Sequence, residues 1–359
     1  MLRFPLEAYR RSPVAQIVQI AVAYAGGAAF DALGIPASWL SGAVVAVILW
    51  GRLGLGVVMP RPLAEAAMLI SGIVMGAGMT PQTLAAIGLY PASLAFLIAA
   101  VVATTLASSL VLMRGFGWRR DDAILATVPG ALTAVMTIAA ERRADVAGIG
   151  IVQSMRLLFL LIVLPFLVAL AGEPGGARFG TGPEPISPLA LGALLASGLV
   201  AGALFDRIGV AAALLLGATA ASGVLFASGT IEGRLPDEVA TLGFVLIGVF
   251  IAQRFNTLDL ASLRKLLSAA LAAFVVGMAV AASFALLAVA VAGAPPADAL
   301  VAFAPGGLEA MIVLALVMGL DPLYVGVHHM VRFLGIGFSL PFVFPRRGAG
   351  SDADRERDA

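Results

Sequence analysis

Apolar residues run through this chain in long blocks, interrupted by short polar or glycine-containing stretches, and the blocks form two sets of six. The first set lies near 14–30, 37–50, 63–80, 91–113, 123–140 and 146–171. The second lies near 189–204, 208–228, 238–253, 266–293, 299–318 and 322–345. Blocks of this length predict helices rather than buried strands, and several are long enough to cross a bilayer. Between the sets, 173–188 is rich in Gly and Pro and reads as a linker. The expected organisation is a first membrane repeat over 1–172, the linker over 173–188 and a second membrane repeat over 189–345. A charged, disordered cytoplasmic tail over 346–359 completes it.

The two sets are copies of one another. At an offset of 176 residues Asp122 matches Asp298, Pro129–Gly130 matches Pro305–Gly306, Asp145 matches Asp321, and Arg156 matches Arg332. At 175, Phe30–Asp31, Gly34 and Gly42 match Phe205–Asp206, Gly209 and Gly217. A repeat of that size in a chain this apolar is half of a polytopic membrane protein, the pattern of transporter-like folds.

Composition agrees about the solvent. The chain is 61% hydrophobic and 12% charged, against roughly 25% charged residues in a soluble domain. Lipid can accept such a surface and water cannot. The net charge of +1, a single Lys and the absence of a basic aromatic patch give no nucleic-acid partner. With no Cys and two adjacent His, neither a metal site nor a redox cofactor is expected, and no enzyme activity is predicted. The N-terminus imitates a signal peptide, but its apolar run has a counterpart in the second half, so it is expected to be the first spanning helix.

Positive charge decides between two topologies. If 123–140 and 299–318 enter and leave on one side, each half has five spans and the halves are inverted. Eighteen Lys and Arg then fall inside, and only Arg178 and Arg234 fall outside. If both segments span, the count is 14 to 6. The fold class expected is therefore an all-α polytopic membrane protein. It has two inverted repeats of five transmembrane helices, each with one re-entrant or broken segment, and both termini are cytoplasmic.

Pro129–Gly130 and Pro305–Gly306–Gly307 break these segments at membrane depth. The half-helix that follows each break would expose backbone N–H groups to an anion, unless the break is a packing kink. Arg156 and Arg332 lie about ten residues into apolar helices, where an arginine costs roughly 2.5–3.5 kcal/mol and must be partnered or wet. They could brace carbonyls at the breaks or flank an anion site. Glu309, four residues past Pro305, could pair with Arg332 or carry a coupled proton. Gln153 and His329, one turn before the arginines, complete the candidate substrate-binding set as polar cavity lining.

The Pro-Gly-(Gly/Ala)-Leu string, the following Asp and the Gln153-x-x-Arg156 and His329-x-x-Arg332 helices resemble the bacterial AbrB-type membrane proteins. These carry the same duplication and are also labelled ammonia monooxygenases. Ala304–Glu309 is close to the family pattern, while Ala131 stands where a second Gly is usual. The resemblance runs from about Val14 to Pro345 and implies a multi-pass protein of the bacterial inner membrane. It also implies regulation of gene expression. A soluble transition-state regulator shares the short name without this architecture. The reading favoured is a secondary transporter of a small, anionic solute through a site at the repeat interface. The alternative is a membrane sensor that acts on gene expression through a partner. The expected partners are the bilayer and the solute, and homo-oligomerisation is left open.

Overall fold

The computed structural model describes residues 12–77, 90–130, 132–170, 184–210, 212–255 and 260–344. Among the described residues, seven α-helices fall in each half. The first seven are α1 (Pro13–Ala32), α2 (Ser38–Arg52), α3 (Arg61–Ala77), α4 (Tyr90–Phe116), α5 (Arg120–Thr127), α6 (Leu132–Glu141) and α7 (Val146–Leu170). The second seven are α8 (Pro188–Arg207), α9 (Ala213–Ala227), α10 (Asp237–Ala252), α11 (Leu260–Ala292), α12 (Pro296–Phe303), α13 (Leu308–Val317) and α14 (Pro322–Val343). The offsets that relate the sequences also relate the helices: α1 and α2 map onto α8 and α9, and α5 and α6 onto α12 and α13, at both ends.

Caps explain why the boundaries repeat. Ser12 and Ser187 each cap a helix that begins with proline. Ala37 and Ala212 both precede their helices in the left-handed region, at φ 55° and 52°. That conformation is costly for a residue with a Cβ, so its duplication marks a turn fixed by its surroundings. The expected linker is bound at its end: Ile186 donates to the Arg234 carbonyl at 3.0 Å and Arg234 to the Glu184 carbonyl at 2.7 Å. The tail from 345 and most of the linker lie outside the described residues.

Small residues set the packing. Gly42 of α2 sits against the Gly26 carbonyl of α1, and its copy Gly217 of α9 sits against Gly202 of α8, so backbones touch where any side chain would collide. The halves interlock by exchange, since α9 packs on α3 and α10 on α2. The two longest helices, α4 and α11, pack together across the halves, with Ser108 donating to the Ala273 carbonyl at 3.0 Å.

Among the described residues, six helices are long and apolar enough to cross a membrane: α1, α4, α7, α8, α11 and α14. Ten spans were expected, and the other four helices at expected spans, α2, α3, α9 and α10, are shorter, at 15–17 residues. α2 and α9 have 15 residues each, about 22 Å of helix. Turn glycines end them, Gly54 at φ 80° and Gly229 at φ 70°.

The expected segments 123–140 and 299–318 are each two short helices around a break, and the ends of each segment lie together. Arg142, just past α6, pairs with Asp121 at the start of α5 at 2.8 Å. The backbone N–H of Asp145 reaches Asp122 at 3.4 Å, and that of Asp321 reaches Asp298 at 2.5 Å. Both segments are hairpins of half-helices. Asp321 begins α14, while Arg142 stacks over Phe344 at the other end of it, 4.9 Å from the ring centre. The two hairpins therefore open at opposite ends of α14.

Candidate functional site

Proline makes the breaks. Val128 and Ala304, each followed by proline, leave the helical region with nearly equal angles, φ −53° ψ 123° and φ −54° ψ 134°. Steric clash with the proline ring forces that extension. The chain then turns differently in the two halves. Gly130 adopts φ 89°, open to glycine, whereas Gly306 folds back to donate to the Ala304 carbonyl at 2.8 Å. The departure at Ala131 thus has a structural parallel: the two breaks are not the same turn.

A helix that stops inside a protein leaves carbonyls without partners. Here the neighbouring long helix supplies the donors, at the same positions twice. Gln153 donates to the Leu125 carbonyl at 2.7 Å, and its counterpart His329 binds the Val301 carbonyl at 3.1 Å. Arg156 donates to Thr127 at 2.9 Å and to Val128 at 3.4 Å. Arg332 donates to Ala304 at 2.6 Å and to Gly306 at 2.7 Å. Each arginine is a cation at the negative end of a half-helix dipole, which offsets part of the cost of burying it.

The bracing reading of the arginines is therefore present in the geometry, with unequal grip. Arg332 is 4% exposed, and its guanidinium also binds Nδ1 of His329, although its Nε has no partner. Arg156 is held by longer bonds and lines a cavity between the halves. That cavity, about 10 Å³ and so about one water in size, is also lined by Thr104, Ser108, Thr127 and Pro305. First-half Arg156 and second-half Pro305 thus meet at one void. Among the described residues neither arginine has a carboxylate partner.

Of the two roles open to Glu309, the ion pair with Arg332 is not formed. Arg332 is turned toward the end of α12 and its Nη groups are committed to carbonyls, while Glu309 occupies the first turn of α13 and is partly exposed. A carboxylate there suits the positive end of that half-helix without an ion pair. Gln253 caps α10 and accepts from the Met59 backbone at 2.9 Å.

One cluster had no signal in the sequence reading. His328, fully buried, lies 2.6 Å from the Ser93 hydroxyl and 2.8 Å from the Tyr324 carbonyl. The Tyr324 ring stacks on it at 4.1 Å. Tyr90 donates its hydroxyl to Asp321 at 3.4 Å. Burial raises the Asp321 carboxyl above its usual range, against the hydrogen bonds from the Tyr324 and Leu323 N–H groups and from Tyr90. The only available hint was compositional: two of the four tyrosines fall here.

No curated protein matches the chain. The model of the AbrB family, described as transition state regulatory protein AbrB, matches residues 39–346. That range takes in both breaks, both arginines and both halves of the duplication, and by it the chain belongs to the AbrB family.

Proposed function

We propose that the chain is a multi-pass inner-membrane transporter that moves a small anionic solute between two inverted repeats, with no catalytic step. The observation that carries this reading is the pair of arginines, Arg332 buried and Arg156 half-buried. Among the described residues both guanidiniums have only carbonyl and imidazole partners, so positive charge without a carboxylate lies at the two helix ends and, at Arg156, beside a cavity shared by both halves. An anion would balance that charge and use the polar groups that line the void. Arg156 is the better candidate to touch it, because its grip on the helix end is looser. The cavity as it stands holds about one water, so solute binding requires the halves to part at α4 and α11.

The inverted arrangement rests on two supports. The loop charge count favours it, and the hairpins opening at opposite ends of α14 fit two segments that enter from opposite faces. The four short helices would then cross in pairs where longer neighbours shield their ends.

A second reading, a membrane sensor that alters gene expression through a partner, is favoured by the family's description. Flux separates the two. Purified protein is screened for thermal shift against a panel of inorganic and carboxylate anions, and any hit is then followed for uptake into proteoliposomes. Uptake lost with Arg156→Gln supports transport. A thermal shift without flux supports the sensor, and no shift with any anion removes the anion reading.

A further inference from the structure

We propose that His328 is a reversible proton-binding site, kept ready in both charge states by the hydroxyl of Ser93. The inference stands apart from the anion reading, uses a different set of side chains, and needs no solute for its test.

The argument begins with which atoms can carry hydrogen. His328 Nδ1 lies 2.8 Å from the Tyr324 carbonyl, which can only accept, so Nδ1 bears a proton. In the neutral ring Nε2 is then bare, and Ser93 donates to it across 2.6 Å. When Nε2 takes a proton it becomes a donor, and Ser93 must accept from it. The serine hydrogen then needs a new acceptor, and the Tyr90 carbonyl lies 3.1 Å from the same oxygen. The two states differ by the rotation of one hydroxyl. Every bond in both is already within reach of the heavy atoms.

His329, the next residue, is built the opposite way. Its Nε2 donates to the Val301 carbonyl and its Nδ1 accepts from Arg332. A second proton on that ring would face a guanidinium with no acceptor available. One histidine is locked neutral and its neighbour is free to change.

The surroundings of His328 supply both signs. The ionisable groups on its own helix are Tyr324, His329 and Arg332. Tyr90 comes from α4, Asp298 from α12, and Asp321 begins α14. α13 carries only Glu309, and α6 only Glu141. Burial and Arg332 oppose an imidazolium. The stacked Tyr324 ring, the Asp321 carboxylate held through Tyr90 and the two oxygen acceptors favour it. The Tyr324 hydroxyl is buried beside Ser93, a further polar group at the site.

The duplication argues against mere packing. The positions that match Tyr90, Ser93, Tyr324 and His328 are Leu266, Ala269, Gly148 and Val152. Ala269 and Val152 are buried in an apolar cluster. The same framework therefore closes without polar residues in one half and carries this cluster in the other.

The test uses the whole chain, with ¹⁵N-labelled histidine, in lipid nanodiscs. With two histidines in the sequence, nitrogen shifts report the tautomer and charge of each. His328 is expected as the Nδ1–H tautomer that converts to imidazolium as pH falls, and His329 as the Nε2–H tautomer throughout. His329→Gln, which installs the residue of the matching position, assigns the signals, and His328→Gln does so by subtraction if that variant does not fold. Ser93→Ala should move the His328 midpoint down by about one pH unit, because the charged form loses its acceptor. A His328 that stays neutral over the whole pH range of the folded protein would overturn the proposal. So would a midpoint unmoved by Ser93→Ala.

Discussion

Gln153 and His329 are 176 residues apart, and each grips a carbonyl that is also one repeat from its counterpart, Leu125 for the first and Val301 for the second. Different chemistry performs one task at one place in the duplicated frame. A Gln amide and an imidazole share only an N–H donor at about the same reach. The task is therefore to satisfy the carbonyl of a helix that ends inside the protein.

The exchange can be tested on stability. His329→Gln keeps a donor and should cost about 1 kcal/mol, whereas His329→Leu orphans the Val301 carbonyl and should cost about 1–3 kcal/mol. Unfolding in detergent, followed by circular dichroism, should rank the variants in that order. Equal losses would mean that ring volume matters and the hydrogen bond does not.

The arginines differ in grip and should differ in consequence. Arg332→Leu frees two carbonyls bound at 2.6 and 2.7 Å, a loss of about 3 kcal/mol or more for charge-assisted bonds. Arg156→Leu, with longer bonds, should cost about half as much. Glu309→Gln should not rescue Arg332→Leu, because the two side chains are not paired. A coupling above about 0.5 kcal/mol in the double-mutant cycle would restore the ion pair.

The duplication, the two breaks and the candidate arginines were legible because each is a local pattern that repeats. The bracing of the helix ends was legible only as one of two alternatives. A sequence shows that Arg156 and Arg332 need partners but not whether those are carbonyls or a solute. Helix length escaped the reading in α9, whose apolar block 208–228 includes the turn that ends at the left-handed Ala212, whereas the block 37–50 matched α2 within two residues. The contact of Ser93 with His328 joins positions in different halves and breaks the repeat, so neither periodicity nor self-comparison could find it.

The pH dependence of stability should carry the mark of Asp321. Its carboxyl is raised in the folded chain by burial, so the folded state holds that proton more tightly than the unfolded one. The resulting stability is fully present below the usual carboxylate range and is lost as pH rises through the raised value. Asp321→Asn keeps a side-chain oxygen for the helix cap and has no proton to lose. The variant should show a flatter stability curve between acid and neutral pH. A curve parallel to that of the parent chain would assign the dependence to another group.

Topology offers the most direct test of the inverted arrangement. Thr230 and Pro295 are exposed in the loops that follow α9 and α11, and Gly115 is exposed near the end of α4. Cysteines at Thr230 and Pro295 avoid Gly229 and Gly293, whose φ values of 70° and 66° would strain any side chain. The chain has no native Cys, so each variant carries one thiol. In intact cells an impermeant maleimide should label positions 230 and 295 and leave 115 unlabelled until the membrane is opened. If both broken segments spanned, positions 230 and 295 would both be protected in intact cells; if only the second spanned, the loop at 295 would stay outside while the end of α14 crossed to the other face. A fourth cysteine decides that case at Gly319, where φ is also 71° but both neighbours, Met318 and Leu320, are buried, so the strain is accepted there; a hairpin returns it to the side of Pro295 and a span carries it across. Labelling of 319 from outside, together with 295, is the outcome that a re-entrant second segment requires. Protection of 319 with labelling of 295 would make the segment a broken span and remove the inversion of the repeats.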